Sequence, residues 1–253
     1  MVITVIDPAA PMLSLKQDTL FLVGGNVSLT FADVDDGSVD NCSLDSATLN
    51  GAASLSYSCA DTGVQKVVVV LFDVNGNSST DSVTIYVADT TLPTYVKTPF
   101  TAYLLSDSVQ VSRSDVLNAI TGSCFPAALT FTSDTVFNCA QIASNPNYLT
   151  FEISSGANVI LDSVTITVLD NVKPNLLLKS DTLILQNGVV GLDFSKIDNG
   201  SSDNCALDSA ALNGFSTVNF TCLDTGLHKI VVQLYDVNGN LSTDSVHVFV
   251  SDT

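Results

Sequence analysis

The segment Val83–Asp89 reads VTIYVAD, and its branched apolar residues Val83, Ile85 and Val87 alternate with Thr, Tyr and Ala. Alternation with a period of two is typical of a strand that buries one face. The pattern recurs as VITVID, VTITVLD and VHVFVSD, ending at Asp7, Asp170 and Asp252. Successive terminal aspartates are 82, 81 and 82 residues apart. The sequence therefore predicts a unit of about 82 residues that is repeated along the chain.

Other residues keep the register of this repeat. Two series of cysteines recur, at Cys42, Cys124 and Cys205 and at Cys59, Cys139 and Cys222. An Asp-x-x-x-Pro junction recurs at Asp7, Asp89 and Asp170. We therefore expect repeats at residues 8–89, 90–170 and 171–253, with residues 1–7 as the last strand of a preceding repeat. The middle repeat is the divergent one.

Each repeat has the strand pattern of a small sandwich. In the first repeat we expect strands near 12–15, 18–23, 27–33, 44–49, 54–60, 65–73 and 80–88. Seven short strands in such a length predict an immunoglobulin-like β-sandwich. A closed barrel is the alternative, but Pro-bearing junctions suit sandwiches in series. We therefore predict an all-β tandem array that forms an elongated rod of roughly 100 Å, from strands of about nine residues at about 3.3 Å each.

The composition excludes several classes of function. The 253 residues carry 26 acidic and 8 basic side chains, for a net charge of −18. Such a surface is a poor partner for nucleic acid or an anionic membrane. The longest apolar run, Val67–Phe72, is too short to span a membrane. Phosphate-loop, dinucleotide and zinc-hydrolase motifs are missing from the sequence, and we expect no enzymatic activity.

The six cysteines indicate disulfides and an oxidising compartment. Two cysteines in each repeat are separated by 17, 15 and 17 residues. The economical prediction pairs cysteines within each repeat: Cys42 with Cys59, Cys124 with Cys139, and Cys205 with Cys222. Six cysteines allow fifteen pairings. Buried free thiols remain the alternative.

Three motifs follow one another in the first repeat: Asp40-Asn41-Cys42, then Ser-Tyr-Ser-Cys59, then the run from Asp73 to Thr80, DVNGNSST. Their order resembles HYR-like, immunoglobulin-like repeats found in tandem in very large surface and secreted proteins of Bacteroidota, including adhesins and gliding-associated filaments. The resemblance covers the first and third repeats almost throughout. Family members often carry a Cys soon after the last motif, where this chain has Asp81 and Asp244, so their disulfide pairing is not transferred. The resemblance implies a structural role outside the cell.

Acidic loops of the first and third repeats are candidate metal sites. In an immunoglobulin-type sandwich, the loop before the third main strand and the loop between the last two strands lie where the chain enters. Clustered hard oxygen ligands suit Ca²⁺, which we expect as a structural cofactor. Solvated turns are the alternative. The candidate ligands are Asp7, Asp33, Asp35, Asp36, Asp40, Asp73, Asn75 and Asn77, and equivalently Asp170, Asp198, Asn199, Asp203, Asp236, Asn238 and Asn240.

The middle repeat lacks both acidic motifs. It has Gly122-Ser123-Cys124 in place of the first and what reads as a longer loop, Ser154–Asn158, in place of the second. Only Asp89 and Asp115 remain near the corresponding site. We therefore expect its junction with the first repeat to be free of metal or held by packing alone.

A tripeptide of Asp, Ser or Thr, and an apolar residue recurs along the chain. It resembles the acceptor motif for O-glycosylation of secreted Bacteroidota proteins. The alternative is that Asp-Ser caps the turn before a strand. Asn-x-Ser/Thr sequons would matter instead in a eukaryotic source. The resemblance places sugars on Thr19, Ser46, Ser82, Ser108, Thr135, Ser163, Thr182, Ser209 and Ser245.

Three functions suit this organisation. The first is an extracellular stalk or filament segment of a bacterial surface adhesin, whose partners are neighbouring repeats of one long chain or copies of itself in a filament. The second is a module that binds a glycan or a cell-surface protein through aromatic residues of the middle repeat. The third is a spacer in a secreted multidomain enzyme. Residues 1–6 also have the pattern of a strand able to complete a neighbour's sheet. The aromatic candidates are Phe100, Tyr103, Phe125, Phe137 and Tyr148.

Overall fold

The computed structural model describes residues 1–252, so Thr253, the last residue of the predicted third repeat, lies outside the described residues. The prediction of an all-β fold is confirmed: three β-sandwiches follow one another along the chain. Contacts gather the chain into two compact units. The first comprises Met1–Val96, Leu117–Thr130 and Phe151–Asp162; the second comprises Lys97–Val116, Phe131–Thr150 and Ser163–Thr253.

The first sandwich contains six strands and two short helical turns. A one-turn helix, α1, spans Phe31–Val34, and a 3₁₀ turn spans Cys59–Asp61. The strands are β1 (Asp18–Phe21), β2 (Asn26–Leu29), β3 (Leu44–Leu49), β4 (Leu55–Ser58), β5 (Gly63–Asp73) and β6 (Ser78–Ala88).

Two sheets face each other in this sandwich. The larger sheet has the order β1-β6-β5-β3, and the smaller one pairs β2 with β4. The first strand runs parallel to the last, with Asp18 beside Ile85, while β5 and β6 form a long antiparallel hairpin. Leu29, Leu49 and Val67 are fully buried between the sheets. Alternation places Val83, Ile85 and Val87 in the same core, as the sequence pattern predicts.

The middle repeat keeps the same order of strands. Its larger sheet is β11-β13-β14-β8, and its smaller sheets pair β9 with β12 and β7 with β10. The one-turn helix α2 spans Arg113–Val116, and a 3₁₀ turn spans Cys139–Gln141. The strands are β7 (Thr94–Lys97), β8 (Phe100–Leu104), β9 (Ser108–Gln110), β10 (Leu117–Thr121), β11 (Ala128–Phe131), β12 (Val136–Asn138), β13 (Asn147–Ser155) and β14 (Asn158–Asp170).

The third sandwich repeats the first almost element for element. Its sheets are β15-β20-β19-β17 and β16-β18. The one-turn helix α3 spans Phe194–Ile197, and a 3₁₀ turn spans Cys222–Asp224. The strands are β15 (Asp181–Ile184), β16 (Val189–Leu192), β17 (Leu207–Leu212), β18 (Val218–Thr221), β19 (Gly226–Asp236) and β20 (Leu241–Ser251).

Each sandwich has an entrance end and an exit end. In the first sandwich, the entrance end holds Asp7 and the turn between β5 and β6, because Asn77 donates a hydrogen bond to the backbone oxygen of Asp7. The exit end holds the start of β5 and the end of β6, where Gly63 pairs with Val87. The two ends are therefore separated by the length of β5, which at about 3.3 Å per residue is roughly 33 Å.

Three local predictions are wrong. The segment 12–15 forms only isolated bridges, Met12 to Val39 and Leu15 to Asp35. The predicted strand 27–33 ends at Leu29, because Thr30 and Asp33 form a capping box that starts α1. The predicted longer loop of the middle repeat is shorter than its counterpart: only residues 156–157 separate β13 from β14, whereas residues 74–77 separate β5 from β6.

Among the described residues, no helix has the length and apolar character needed to cross a membrane.

Tyr95 provides a test of side-chain packing in the middle repeat. Its ring meets Phe151 edge to face, and its hydroxyl donates a hydrogen bond to Asp162. Burial and then this hydrogen bond raise the pKa of Tyr95 to about 12. The protonated phenol therefore stabilises the fold below pH about 10, the ordinary value, and this contribution is lost as the pH rises through 12. We expect one tyrosine to ionise at pH about 12 in a tyrosinate absorbance titration, and Tyr95→Phe to remove that step. An unchanged titration of the variant would contradict this assignment.

Candidate metal centres and cysteine links

The entrance end of the first sandwich gathers three carboxylates. Asp7 arrives with the incoming chain, Asp40 precedes β3, and Asp73 ends β5. One carboxylate oxygen from each lies within 4.8 Å of the others. Asp73 is only 2% exposed. Three like charges at such distances repel one another, so this arrangement favours a bound cation.

The third sandwich builds the same cluster from Asp170, Asp203 and Asp236, again within 4.8 Å. Asp170 and Asp236 are buried. Asn240 donates to the backbone oxygen of Asp170, as Asn77 does to Asp7. The Asn side chains therefore fasten the incoming chain to the turn between the last two strands. Residues separated by two repeats therefore occupy the same positions in both clusters.

Hydrogen bonds hold Asp73 ionised. Burial alone would raise the pKa of Asp73, but the amide of Asn77 and the backbone N–H groups of residues 75–77 outweigh burial and lower it. Hydrogen bonds from Cys42, Ala9 and Asn41, in that order, lower the pKa of Asp7. Both carboxylates therefore remain charged well below neutral pH.

Each cluster also contains buried oxygens without a hydrogen-bond donor. In the first cluster these are Oδ2 of Asp7 and Oδ1 of Asp40. In the other they are Oδ1 of Asp203 and Oδ1 of Asn204. A buried acceptor without a donor is costly, whereas a hard cation satisfies such oxygens directly. The residues present therefore fit a cation of the Ca²⁺ type.

The other predicted ligands lie outside the two carboxylate triads, and several of them serve local turns. Asp33 accepts from the backbone and hydroxyl of Thr30, and Asp35 accepts from Ser38 N–H. Asp36 is exposed, and its backbone N–H bonds Ser14. In the third sandwich, Asp198 accepts from Ser201 N–H, and Asn199 donates its backbone N–H to Leu177. Asn75 bonds Asp73 through its backbone, whereas the Asn238 amide bonds Asp170. None of these belongs to either carboxylate triad.

The middle repeat shows how such a cluster is lost. Gly122 and Ser155 replace the aspartates at 40 and 73. Ser155 donates to the backbone oxygen of Phe125, and a Cβ on Gly122 would collide with that oxygen. Asn158 still fastens the incoming chain by bonding the backbone oxygen of Asp89. Asp115 instead caps α2 by accepting from Ser112. The middle repeat therefore keeps the asparagine hydrogen bond to the incoming chain but lacks two of the three carboxylates.

Disulfides join successive repeats. Cys59 is bonded to Cys124 and Cys139 to Cys205, with Cα–Cα distances of 4.9 and 5.5 Å. Cys42 and Cys222 are free and exposed. The predicted pairing within each repeat, Cys42 with Cys59, Cys124 with Cys139 and Cys205 with Cys222, is therefore wrong.

The direction of the strands explains this pairing. Cys42 lies at the entrance end, where its backbone N–H donates to Asp40. β3 runs from there towards the exit end, and residues 50–54 then carry the chain to the smaller sheet. β1 runs parallel to β6 and therefore ends at the exit end, where Asn26 follows the next turn. Ser58 pairs with Asn26, so β4 also ends at the exit end. Cys59 therefore lies far beyond the roughly 7 Å that a disulfide spans between Cα atoms.

The Cys42 thiol lies against the first carboxylate cluster. Its hydrogen bond to Asp7 and then burial and the charges of Asp7, Asp40 and Asp73 raise the pKa of Cys42. Asn41 also contacts its sulfur, at 3.7 Å. The entrance-end cysteine and the carboxylate cluster are thus parts of one small region.

Most of the nine predicted glycosylation positions share an orientation, and Thr135 is the exception, because it is half-buried while Val136 after it is exposed. In β1, Thr19 is exposed and the next residue, Leu20, is buried; in β6, Ser82 is exposed and Val83 is buried. At these positions the motif presents a hydroxyl on the outer face of a strand and an apolar group to the core. Thr19, Ser46, Ser82, Ser108, Thr182 and Ser209 are exposed, and Thr135, Ser163 and Ser245 are half-buried.

The aromatic candidates of the middle repeat separate into two groups. Phe137 is buried, and Phe100 is half-buried. Tyr103, Phe125 and Tyr148 are exposed. The Phe125 ring lies over Gly156, whose φ of +59° and close approach both disfavour a side chain.

No protein-family model matches the chain, and no curated protein matches it. Solved structures of tandem β-sandwich proteins do. The titin fragment I67–I69 shares 11% identity at a TM-score of 0.38, over 98% of this chain and 100% of that one. Sidekick-1 immunoglobulin domains 1–5 share 10% at 0.39, over 97% and 60%. The protocadherin GammaB4 extracellular domain shares 13% at 0.31, over 97% of this chain and 50% of its own length. At these values the likeness concerns the fold alone.

Proposed function

We propose that this chain is a structural spacer of the extracellular stalk or filament type, in which successive sandwiches are fixed to one another. The observation that carries the proposal is the pairing of Cys59 with Cys124 and of Cys139 with Cys205. Both bonds join one repeat to the next instead of closing a repeat on itself. A bond in that position limits bending between repeats, which a spacer needs and a self-contained domain does not.

Two further observations support this role. Asn77, Asn158 and Asn240 each fasten the incoming chain at the entrance end of their sandwich. Each of the three entrance ends therefore holds the incoming chain by an asparagine hydrogen bond, and the second and third also have a disulfide. Disulfides are typical of secreted and cell-surface proteins, and the acidic, exposed hydroxyl-rich strands suit such a location. The neighbouring repeats of the same chain would be its main partners.

We propose Ca²⁺ as the cation of the two carboxylate clusters. Asp7, Asp40 and Asp73 offer the hard oxygen ligands that Ca²⁺ prefers, and Asp170, Asp203 and Asp236 offer the same set. Bound there, Ca²⁺ would tie the incoming chain to two loops of the sandwich that it enters. This would stiffen the entrance ends of the first and third sandwiches. The entrance end of the middle sandwich would be held by its disulfide and hydrogen bonds alone.

Small-angle X-ray scattering tests the spacer proposal. A single compact body of this length has a radius of gyration of about 18 Å. We expect the oxidised chain to give a clearly larger value that does not change with protein concentration. After reduction, we expect a broader distance distribution, because the junctions lose a covalent constraint. A radius near that of one compact body, unchanged by reduction, would sink the proposal.

Glycosylation of the exposed hydroxyls is a further prediction for native material. Peptide mass spectra should show hexose-containing additions on peptides bearing Thr19, Ser46 and Ser82, all of which face solvent. Buried Ser155, which is not preceded by Asp, is the internal control and should be unmodified. Unmodified Thr19, Ser46 and Ser82 in protein from its natural source would contradict the acceptor motif.

A binding role for the middle repeat is the second candidate. Tyr148 is 63% exposed on β13 and Tyr103 is 49% exposed on β8, although aromatic rings are usually buried. Glycan-array binding that is lost in Tyr148→Ser, with folding unchanged, would favour this role over that of a pure spacer.

A further inference from the structure

The disulfide between Cys139 and Cys205 lies directly beside the carboxylate cluster of the third sandwich. The backbone N–H of Cys205 donates to Oδ2 of Asp203 at 2.9 Å. The next backbone N–H, that of Ala206, donates to the same oxygen at 3.3 Å. The other oxygen of this carboxylate, Oδ1, is buried and has no donor. The backbone at the cysteine therefore orients Asp203 through one oxygen and leaves the other for a cation.

Asn204 connects the cluster to the disulfide and to the middle repeat. Its side-chain amide donates to Oδ1 of Asp170 at 3.2 Å and contacts the sulfur of Cys205 at 3.7 Å. The same amide lies 3.4 Å from the backbone oxygen of Ser106, and the sulfur of Cys139 lies 3.6 Å from the backbone oxygen of Asn204. The side-chain oxygen of Asn204 is buried without a donor. A movement of this residue therefore affects both the disulfide and the cluster.

The other disulfide, Cys59–Cys124, provides an internal comparison. The backbone N–H of Cys124 donates to Asp89 at 3.2 Å, but Gly122 and Ser155 stand at the positions of the other two carboxylates. The cluster of the first sandwich lies at the opposite end of that sandwich from Cys59, at a distance of roughly 33 Å. This disulfide therefore joins two repeats without a carboxylate cluster beside it.

We propose that the cation site of the third sandwich and the Cys139–Cys205 disulfide stabilise each other through the segment Asp203–Cys205. The inference rests on the spacer function and its calcium sites, and it assigns a regulation to one of those sites. The closed disulfide fixes the backbone of Cys205 and so orients Asp203 before the ion binds. The bound ion fixes Asp203 and so holds Cys205 beside Cys139, where the bond is made. Calcium thereby protects this junction from reduction, and reduction weakens the binding of calcium.

Thermodynamic linkage makes this coupling reciprocal. The factor by which the closed disulfide raises the affinity for Ca²⁺ equals the factor by which bound Ca²⁺ raises the equilibrium constant for closing the disulfide. Couplings between two sites are typically about 5- to 150-fold. We therefore expect an effect of at least about fivefold in each direction.

Redox equilibration of the wild-type protein measures the effect of calcium on the disulfide. Dithiothreitol supplies two protons and two electrons to the Cys139–Cys205 bond, which becomes two thiols, while dithiothreitol closes to a cyclic disulfide. The protein is equilibrated at several ratios of reduced to oxidised dithiothreitol, with about 10 mM Ca²⁺ or with a chelator at matched ionic strength. After acid quenching and alkylation, peptide mass spectra give the reduced fraction of each cysteine.

The two disulfides should respond differently in this experiment. We expect Ca²⁺ to raise the dithiothreitol ratio that half-reduces Cys139–Cys205 by at least about fivefold, because the ion holds the closed form. The ratio for Cys59–Cys124 should change by less than about twofold, because no cluster adjoins it.

Asp203→Asn is the matched control for the cluster. It removes one charge and keeps the size of the side chain, so the calcium effect on Cys139–Cys205 should disappear in this variant. A calcium effect of undiminished size in Asp203→Asn would show that the coupling does not pass through this cluster.

Calorimetry measures the effect of the disulfide on calcium. Asp40→Asn is expected to leave the cluster of the third sandwich as the only site, so that its titration reports one ion. In this background, replacing Cys139 and Cys205 by Ser should weaken Ca²⁺ binding by at least about fivefold. The corresponding replacement of Cys59 and Cys124 should leave the affinity unchanged. Circular dichroism checks that each variant is folded, and if one is not, the redox measurement on the wild-type chain decides.

Two outcomes would overturn the proposal: equal calcium effects on both disulfides, or no effect on Cys139–Cys205 although calorimetry shows an ion bound at its cluster. In both cases the calcium site and the spacer function stand, because only the coupling has failed. The absence of a bound ion from the oxidised Asp40→Asn protein would instead refute the calcium proposal for this cluster, and the coupling with it.

Discussion

Replacing both Cys59 and Cys124 by alanine is expected to lower the free energy of unfolding by about 4 kcal/mol, the chain-entropy value for a loop of this size. The two residues are 65 positions apart, so their bond removes much of the freedom of the unfolded chain. Changing both partners avoids leaving a lone thiol that would form other disulfides. The measurement is urea denaturation followed by circular dichroism, without a reducing agent. The Cys139–Cys205 pair closes a 66-residue separation and should have a similar effect.

The matched control is the double change Cys42→Ala and Cys222→Ala. Both cysteines are exposed and form no disulfide, so this variant should keep the wild-type free energy of unfolding to within about 0.5 kcal/mol. Equal losses in the two double variants would contradict the observed pairing. A loss below about 1 kcal/mol in the Cys59 and Cys124 variant would show that the bond adds little to the native state.

Calcium is expected to stabilise the protein through two sites. At a hundredfold excess of Ca²⁺ over the dissociation constant, each site contributes about 2.7 kcal/mol to the free energy of unfolding. Extracellular modules bind Ca²⁺ with dissociation constants of roughly 10⁻⁴ to 10⁻³ M. If binding is at the tighter limit, the hundredfold excess is reached at about 10 mM Ca²⁺. Isothermal titration should give two bound ions per chain, one for each carboxylate cluster.

The isosteric changes Asp40→Asn and Asp203→Asn separate binding from folding. Each should remove one of the two ions, and the pair should remove both. Without calcium, we expect the variants to be at least as stable as the wild type, because each relieves repulsion among three clustered carboxylates. Asp89→Asn changes the junction of the middle repeat, which lacks the other two carboxylates, and should leave both ions bound. Two bound ions in the double variant would place the sites elsewhere.

The fold was predictable because alternation identifies the long strands. The alternation of Val83, Ile85 and Val87 predicts β6, and the corresponding residues of the other repeats predict the last strand of each sandwich. Alternation also continued through Val27, Leu29 and Phe31, which led the predicted strand into α1. There the capping box of Thr30 and Asp33 decides the backbone, and such a local hydrogen-bond pattern is invisible to a hydrophobic period.

The site was predictable in part. Loop positions in an immunoglobulin-type sandwich place Asp7, Asp40 and Asp73 together, and the structure brings these three within reach of one ion. Asp33 and Asp35 were indistinguishable from them by composition, because their roles in local turns depend on backbone directions. The cysteine pairing was missed for a related reason: residue spacing suggests a return to the same end, whereas β3 and β4 both run towards the exit end.

The links between repeats also redirect mechanical load. Tension applied to the two ends of the chain follows the shortest covalent route, which crosses from Cys59 to Cys124 and from Cys139 to Cys205. Residues 60–123 and 140–204 are bypassed, so about half of the chain carries no tension. The β5–β6 hairpin, which supplies much of the first core, lies in the bypassed part. A protease cut at an exposed junction residue such as Leu92 would therefore leave the covalent path between the two chain ends intact.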